Sequence, residues 1–123
     1  MIKIFKRFLI IVFLVLLLSA CATAPTATQT AEADYGSYPS NYKEIIIAYY
    51  SRFLIDPYSA HYRWISAPYK GYMRISFTDY EFGYIVKVGI NAKNRLGGYV
   101  GERERFFLIK DGVVISDLPA FNK

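Results

Sequence analysis

Cysteine and histidine are nearly absent from this sequence, which has one of each among 123 residues. A single cysteine, Cys21, excludes an intramolecular disulfide. A metal site would need more histidine and cysteine ligands than His61 and Cys21 can supply. Serine catalysis of the hydrolase type would need a Gly-x-Ser-x-Gly turn, which does not occur, and the acidic residues are not spaced as a catalytic pair. The sequence therefore predicts no metal site, no cofactor and no enzymatic activity.

A strong excess of charge of one sign is also missing once the N-terminal segment is set apart. The formal net charge is +5, but Lys3, Lys6 and Arg7 supply part of it, and the chain after residue 20 carries only +2. Nucleic-acid-binding proteins normally show a clustered basic stripe, which this balance does not indicate. We therefore predict no nucleic-acid partner.

The apolar run at residues 9–18 is too short for a membrane-spanning helix, which needs about 20 apolar residues. It follows a basic start and precedes two small residues, Ser19 and Ala20. This order is typical of a secretory signal peptide. We predict that residues 1–20 are a signal peptide; a permanent N-terminal anchor helix is the alternative.

The residues Leu18-Ser19-Ala20-Cys21 resemble the lipobox of bacterial lipoproteins. In that family a diacylglyceryl group is attached to the cysteine sulfur, and a signal peptidase then cuts before the cysteine. The resemblance implies cleavage between Ala20 and Cys21, lipidation of Cys21 with acyl chains such as palmitate, and attachment to a membrane of the cell envelope. Ala22 stands where an Asp tends to retain Gram-negative lipoproteins in the inner membrane. The resemblance thus implies the outer membrane, facing the periplasm, if the cell is Gram-negative.

Residues 21–40 consist mainly of Ala, Pro and small polar residues. Such a segment cannot bury enough apolar area to offset the entropy of ordering it. We therefore predict a lipidated flexible tether over 21–40, followed by a folded domain over 41–123. In the alternative, Tyr35 and Tyr38 dock onto that domain.

The pattern over 41–123 predicts an α+β domain in which one N-terminal helix packs on a four- to five-stranded antiparallel sheet. Asn41 and Glu44 resemble a capping box, and a helix over 42–55 would stop before Pro57. Ile47 and Leu54 widen its apolar face beyond what one sheet usually covers. Strands are predicted at 61–66, 72–78, 82–91, 103–110 and 113–116, and the Asp111-Gly112 pair predicts a hairpin between the last two.

The segment 91–101 is the most distinctive loop, because it is longer than a tight hairpin between its two flanking strands requires. Its candidate binding residues are Asn91, Lys93, Asn94, Arg95 and Tyr99. The alternative is a wide hairpin whose glycines adopt positive φ. Together with Asp56-Pro57-Tyr58-Ser59-Ala60, this loop is similar to patterns in small bacterial and phage-encoded lipoproteins, a resemblance that implies no particular activity.

Aromatic residues are abundant, with 12 Tyr and 9 Phe. Tyrosines in loops and at strand ends are common at binding surfaces. We therefore predict a non-enzymatic, membrane-anchored envelope lipoprotein that binds another envelope protein. A cell-wall glycan-binding module is the alternative, and an enzyme of unrecognised type is the third hypothesis.

Overall fold

The computed structural model describes residues 1–17 and 24–120, and its α+β architecture confirms the predicted fold class. The helices are α1 (Ile2–Leu17), α2 (Ala27–Glu32) and α3 (Tyr42–Tyr50), with 3₁₀ turns at Ser51–Phe53 and Pro57–Ser59. The strands are β1 (His61–Trp64), β2 (Tyr69–Arg74), β3 (Tyr80–Asn91), β4 (Arg103–Lys110) and β5 (Val113–Pro119). The predicted cleavage and lipidation residues, Ala20 and Cys21, lie outside the described residues.

The helix α1 covers most of the predicted signal peptide, and its side chains up to Phe13 are exposed. Within the described part of the chain, no helix combines the length and the apolar character that crossing a membrane requires.

All strand pairs of the sheet are antiparallel, and the 12-residue strand β3 is its centre. On one edge of β3, β2 pairs with residues 80–85 and β1 with residues 88–91, while β4 occupies the other edge. The strand β5 then pairs with β4 through a hairpin at Asp111 and Gly112, which have φ of 49° and 77°. Two successive positive φ values suit the right-handed twist of a two-residue hairpin, so the Asp-Gly prediction is confirmed.

The main core lies between α3 and one face of the sheet. Ile46 of α3 is fully buried, as are Val86, Val88 and Phe107 of the sheet. Burial of each side chain of this size contributes about 1.5–3 kcal/mol. Tyr49 links α3 to β5 by a hydrogen bond, in which its hydroxyl donates to Asp117 Oδ1 at 2.8 Å. Burial first, and then this hydrogen bond, raise the pKa of Tyr49, which keeps the phenol neutral.

The predicted helix over 42–55 begins at Tyr42 as expected but ends earlier than expected, since α3 spans Tyr42–Tyr50. The capping box predicted at Asn41 and Glu44 does not form, since the Asn41 side chain makes no capping hydrogen bond. The Tyr42 amide donates to the Pro39 carbonyl at 3.1 Å. The α-helix ends at Tyr50, where the Ser51 hydroxyl donates to the Ile47 carbonyl and competes with the helical ladder. Phe53, in the 3₁₀ turn that follows, is 64% exposed.

The predicted strand over 72–78 is displaced, since β2 spans Tyr69–Arg74 instead. The alternation that suggested a strand continues into a turn, because the Ser76 hydroxyl accepts from the Asp79 amide and donates to the Asp79 carboxylate. At the other end Gly71 allows pairing, because a Cβ there would lie 2.5 Å from Cδ1 of Ile85 on the neighbouring strand. On the face of the sheet opposite to α3, Met73, Ile85 and Leu108 form a smaller core.

The chain between α2 and α3 packs on the sheet. Tyr35 meets Phe82 edge-to-face with ring centroids 5.7 Å apart, and Tyr38 meets Tyr84 in the same way at 5.4 Å. The Ser37 amide donates to Asp111 Oδ1 at 3.1 Å. Residues 35–38 therefore pack on the domain, as in the alternative in which Tyr35 and Tyr38 dock onto it. We call residues 34–38 the strap.

Candidate functional site

The 91–101 loop is itself a small hairpin rather than an open excursion. Lys93 and Tyr99 face each other in an isolated antiparallel bridge. Inside this bridge the Asn94 amide donates to the Gly98 carbonyl at 2.8 Å, and the Gly97 amide donates to the Asn94 carbonyl at 3.0 Å. Gly97 has φ of 77°, as the hairpin alternative requires. These backbone hydrogen bonds therefore close the tip as a tight turn.

Asn94 shapes the tip of the loop with its side chain. Its Oδ1 accepts from the Leu96 amide at 2.9 Å and from the Gly98 amide at 3.1 Å. An asparagine that bonds its own downstream backbone is a common turn former. The side-chain oxygen of this predicted binding residue is thus already engaged within the loop.

Tyr99 fastens the loop to the segment before β1. Its hydroxyl donates to the Ser59 carbonyl at 3.0 Å and lies 2.8 Å from Nε2 of His61. A phenol has one proton to give, so this pairing fits the histidine tautomer in which Nε2 carries hydrogen. The Ser59 hydroxyl also accepts from the Lys93 amide at 3.1 Å. The loop and the turn Pro57–Ser59 therefore form one connected unit.

The predicted binding residues do not all point to one surface. Asn91 lies opposite His61 in the sheet register, and its Oδ1 is buried without a hydrogen-bond partner among the described residues. Lys93 is half-buried, and its Nζ lies 5.6 Å from the Tyr99 ring centroid. Arg95 is exposed, and the described part of the chain offers it no hydrogen bond or ion pair. Arg95 is therefore the predicted residue best placed to contact a partner.

An apolar surface lies next to the loop. Phe53 and Ile55 are 64% and 62% exposed, and with Val100 they line a groove of about 300 Å³ that Lys93 and Arg103 also border. Leu96, at the loop tip, is 94% exposed. We call this set the loop-end surface; it comprises Phe53, Ile55, Lys93, Arg95, Leu96, Val100 and Arg103.

The sequence carried one signal for this surface, which was the excess width of the helix's apolar face. That signal pointed to Ile47 and Leu54, of which Leu54 does line the groove while Ile47 does not. Phe53 and Ile55, which follow α3, line this groove with Val100, which lies more than forty residues later in the sequence. No local pattern encodes such an arrangement.

The face of the sheet that does not pack against α3 carries a network of charges. Arg63 contacts Glu102 at 2.5 Å and Glu104 at 3.1 Å, and Lys87 contacts Glu104 at 2.6 Å. The hydrogen bond from Arg63 lowers the pKa of Glu102, and the one from Lys87 lowers the pKa of Glu104. Both carboxylates are therefore ionised at neutral pH, whereas an acid–base pair needs pKa values pushed apart.

Within residues 1–17 and 24–120, no group of three histidine, cysteine, aspartate or glutamate side chains is arranged to hold a metal ion. Comparison with protein-family models, curated proteins and solved structures finds no match to this chain.

Proposed function

We propose that this chain is a lipid-anchored envelope lipoprotein without enzymatic activity, and that its folded domain binds another envelope protein through the loop-end surface. The observation that carries the proposal is the position of that surface on the sheet. Pro25 lies beside Thr78 and Asp79, before the first residue of β3, whereas the loop follows the last residue of β3. A strand of this length spans about 35–40 Å. A lipid on Cys21 would therefore hold one end near the membrane and present the other to a partner.

The chemistry of the loop-end surface suits a protein partner. Its exposed apolar side chains share the groove with Lys93 and Arg103, and Arg95 is exposed on the adjoining loop. Interfaces between proteins are enriched in aromatic residues and arginine and have a polar rim. The neighbouring carboxylate of Glu102 is engaged with Arg63 and does not offset these cations. We therefore expect the partner to present acidic residues around an apolar patch.

Site-specific photo-crosslinking in cells tests the proposal. A benzoylphenylalanine at Leu96 should form a crosslink to one envelope protein, and Phe53→Asp or Arg103→Glu in the same chain should abolish it. The same crosslinker at Val113, which is 58% exposed on the β4–β5 hairpin, serves as the matched control and should give none. Cys21→Ser should lose palmitate labelling and the crosslink together.

Two results would contradict the proposal. A crosslink at Leu96 that survives both Phe53→Asp and Arg103→Glu would show that the loop-end surface is not the interface. Retention of palmitate label by the Cys21→Ser chain would show that the lipid is not on Cys21.

A further inference from the structure

The turn between β2 and β3 presents two apolar side chains to solvent. Phe77 is 88% exposed and Ile75 is 50% exposed. The turn is held by its own hydrogen bonds, because the Ile75 amide donates to the Asp79 carbonyl at 3.0 Å and the Ser76 hydroxyl binds Asp79. A turn held in this way displays a phenylalanine at its tip, and Phe77 and Ile75 line one hollow with Arg74 and Ser76.

The same turn lies beside the part of the chain that leads to Cys21. Pro25 and Gln29 line one hollow with Thr78 and Asp79. Three peptide units connect Cys21 to Ala24, and each residue of an extended chain spans at most about 3.3–3.6 Å. Three residues of chain therefore reach at most roughly 11 Å, so the backbone of Cys21 can lie no farther than that from the backbone of Ala24. If the sulfur carries a diacylglyceryl group, the turn is held next to the headgroups.

We propose that the turn over residues 75–79 inserts Phe77 and Ile75 into the boundary between headgroups and acyl chains of the membrane that holds the lipid on Cys21. This inference rests on the lipidation in the proposed function and adds an orientation to it. Aromatic side chains favour the interfacial region of a bilayer. The turn itself has Asp79 and no basic residue between 75 and 79, and Arg74 just before it lines one hollow with Ile75 and Phe77.

The consequence is a domain with two attachments at one end. The lipid and the inserted turn both lie at the start of β3, so β3 would point away from the membrane. The loop-end surface would then face outward, where a partner can reach it. A lipid alone would leave the domain free to tumble about its tether.

Depth-dependent fluorescence quenching tests the inference. The lipidated chain carrying Phe77→Trp is reconstituted in phosphatidylcholine vesicles, with and without brominated acyl chains, and the contribution of Trp64 is measured in the parent chain. The matched control is Leu96→Trp, at an exposed apolar position on the opposite end. We expect the brominated lipid to remove most of the emission added by Phe77→Trp and none of that added by Leu96→Trp.

The contrary outcomes separate the two proposals. If the chain floats with the vesicles but Phe77→Trp emission is not quenched, the turn does not insert, and lipid anchoring stands. Equal quenching at both positions would overturn the outward orientation. A chain that carries no lipid and does not float with the vesicles would overturn the anchor and the insertion together.

Discussion

At the scale of single residues, Tyr99 fixes the 91–101 loop more than it offers a surface. Its hydroxyl joins the Ser59 carbonyl and the His61 ring. Tyr99→Phe should therefore lower the free energy of unfolding by about 0.5–1.5 kcal/mol, the usual net contribution of an intramolecular hydrogen bond. Urea titration of the detergent-solubilised protein, followed by Trp64 fluorescence, measures it.

The matched control is Tyr58→Phe, since the Tyr58 side chain is fully exposed and next to Ser59. It should change the free energy of unfolding by no more than about 0.5 kcal/mol. If the two substitutions have equal effects, the Tyr99 hydroxyl does not hold the loop. Because Asn94 and Tyr99 have these structural roles, their substitution would mix loop distortion with loss of contact. Arg95 is the cleaner probe of binding.

At the scale of the strands, the charge network on β1, β3 and β4 predicts a dependence of stability on pH. The pKa of Glu102 is lowered by Arg63, and that of Glu104 by Lys87. A carboxylate whose pKa is lower in the folded than in the unfolded state stabilises the fold above its unfolded pKa, which is about 4.3. The stabilisation is then lost as the pH falls through the lower, folded value. The melting temperature should therefore drop as the pH falls below about 5.

Glu104→Gln should reduce the fall in melting temperature at acidic pH, because the glutamine side chain has no proton to take up. Melting curves between neutral and acidic pH, compared with those of Glu81→Gln, measure the difference. Glu81 on β3 is the matched control, since it takes no part in the ion pairs of Glu102 and Glu104. If the melting temperature falls equally steeply with pH in both variants, Glu104 is not the source of the acid dependence.

The same scale shows which elements could be predicted from the sequence. β4 and the Asp111-Gly112 hairpin followed their patterns because alternation and turn chemistry are local properties of the chain. β2 did not, since the hydrogen bonds of Ser76 and Asp79 outweigh an alternation that runs through Phe77. The loop at 91–101 was recognisable from its length and glycines. The loop-end surface was not, because it needs the end of the helix and Val100 to meet in three dimensions.

At the scale of the whole molecule, the strap over residues 34–38 fixes the N-terminal side of the chain relative to the sheet. Gly36 has φ of 72°, and a Cβ there would lie 2.6 Å from Asp111 Oδ1, the acceptor for the Ser37 amide. Gly97 has a similar φ of 77°, but a Cβ there would meet nothing within 4 Å. The two glycines therefore have the same backbone requirement and differ in the contact that an added methyl would break.

This difference makes Gly97→Ala a matched control for Gly36→Ala. Both substitutions should lower the free energy of unfolding by about 1–2 kcal/mol, because alanine is unfavourable in the left-handed backbone conformation. Only Gly36→Ala should release the strap, because its methyl displaces the Asp111 carboxylate from the Ser37 amide. Native-state hydrogen exchange measures this directly. We expect the Ser37 amide to lose its protection in Gly36→Ala and to keep it in Gly97→Ala. Equal protection of this amide in the two variants would mean that the strap is held by Tyr35 and Tyr38 alone, and that the hydrogen bond to Asp111 does not fix the position of the chain that leads to Cys21.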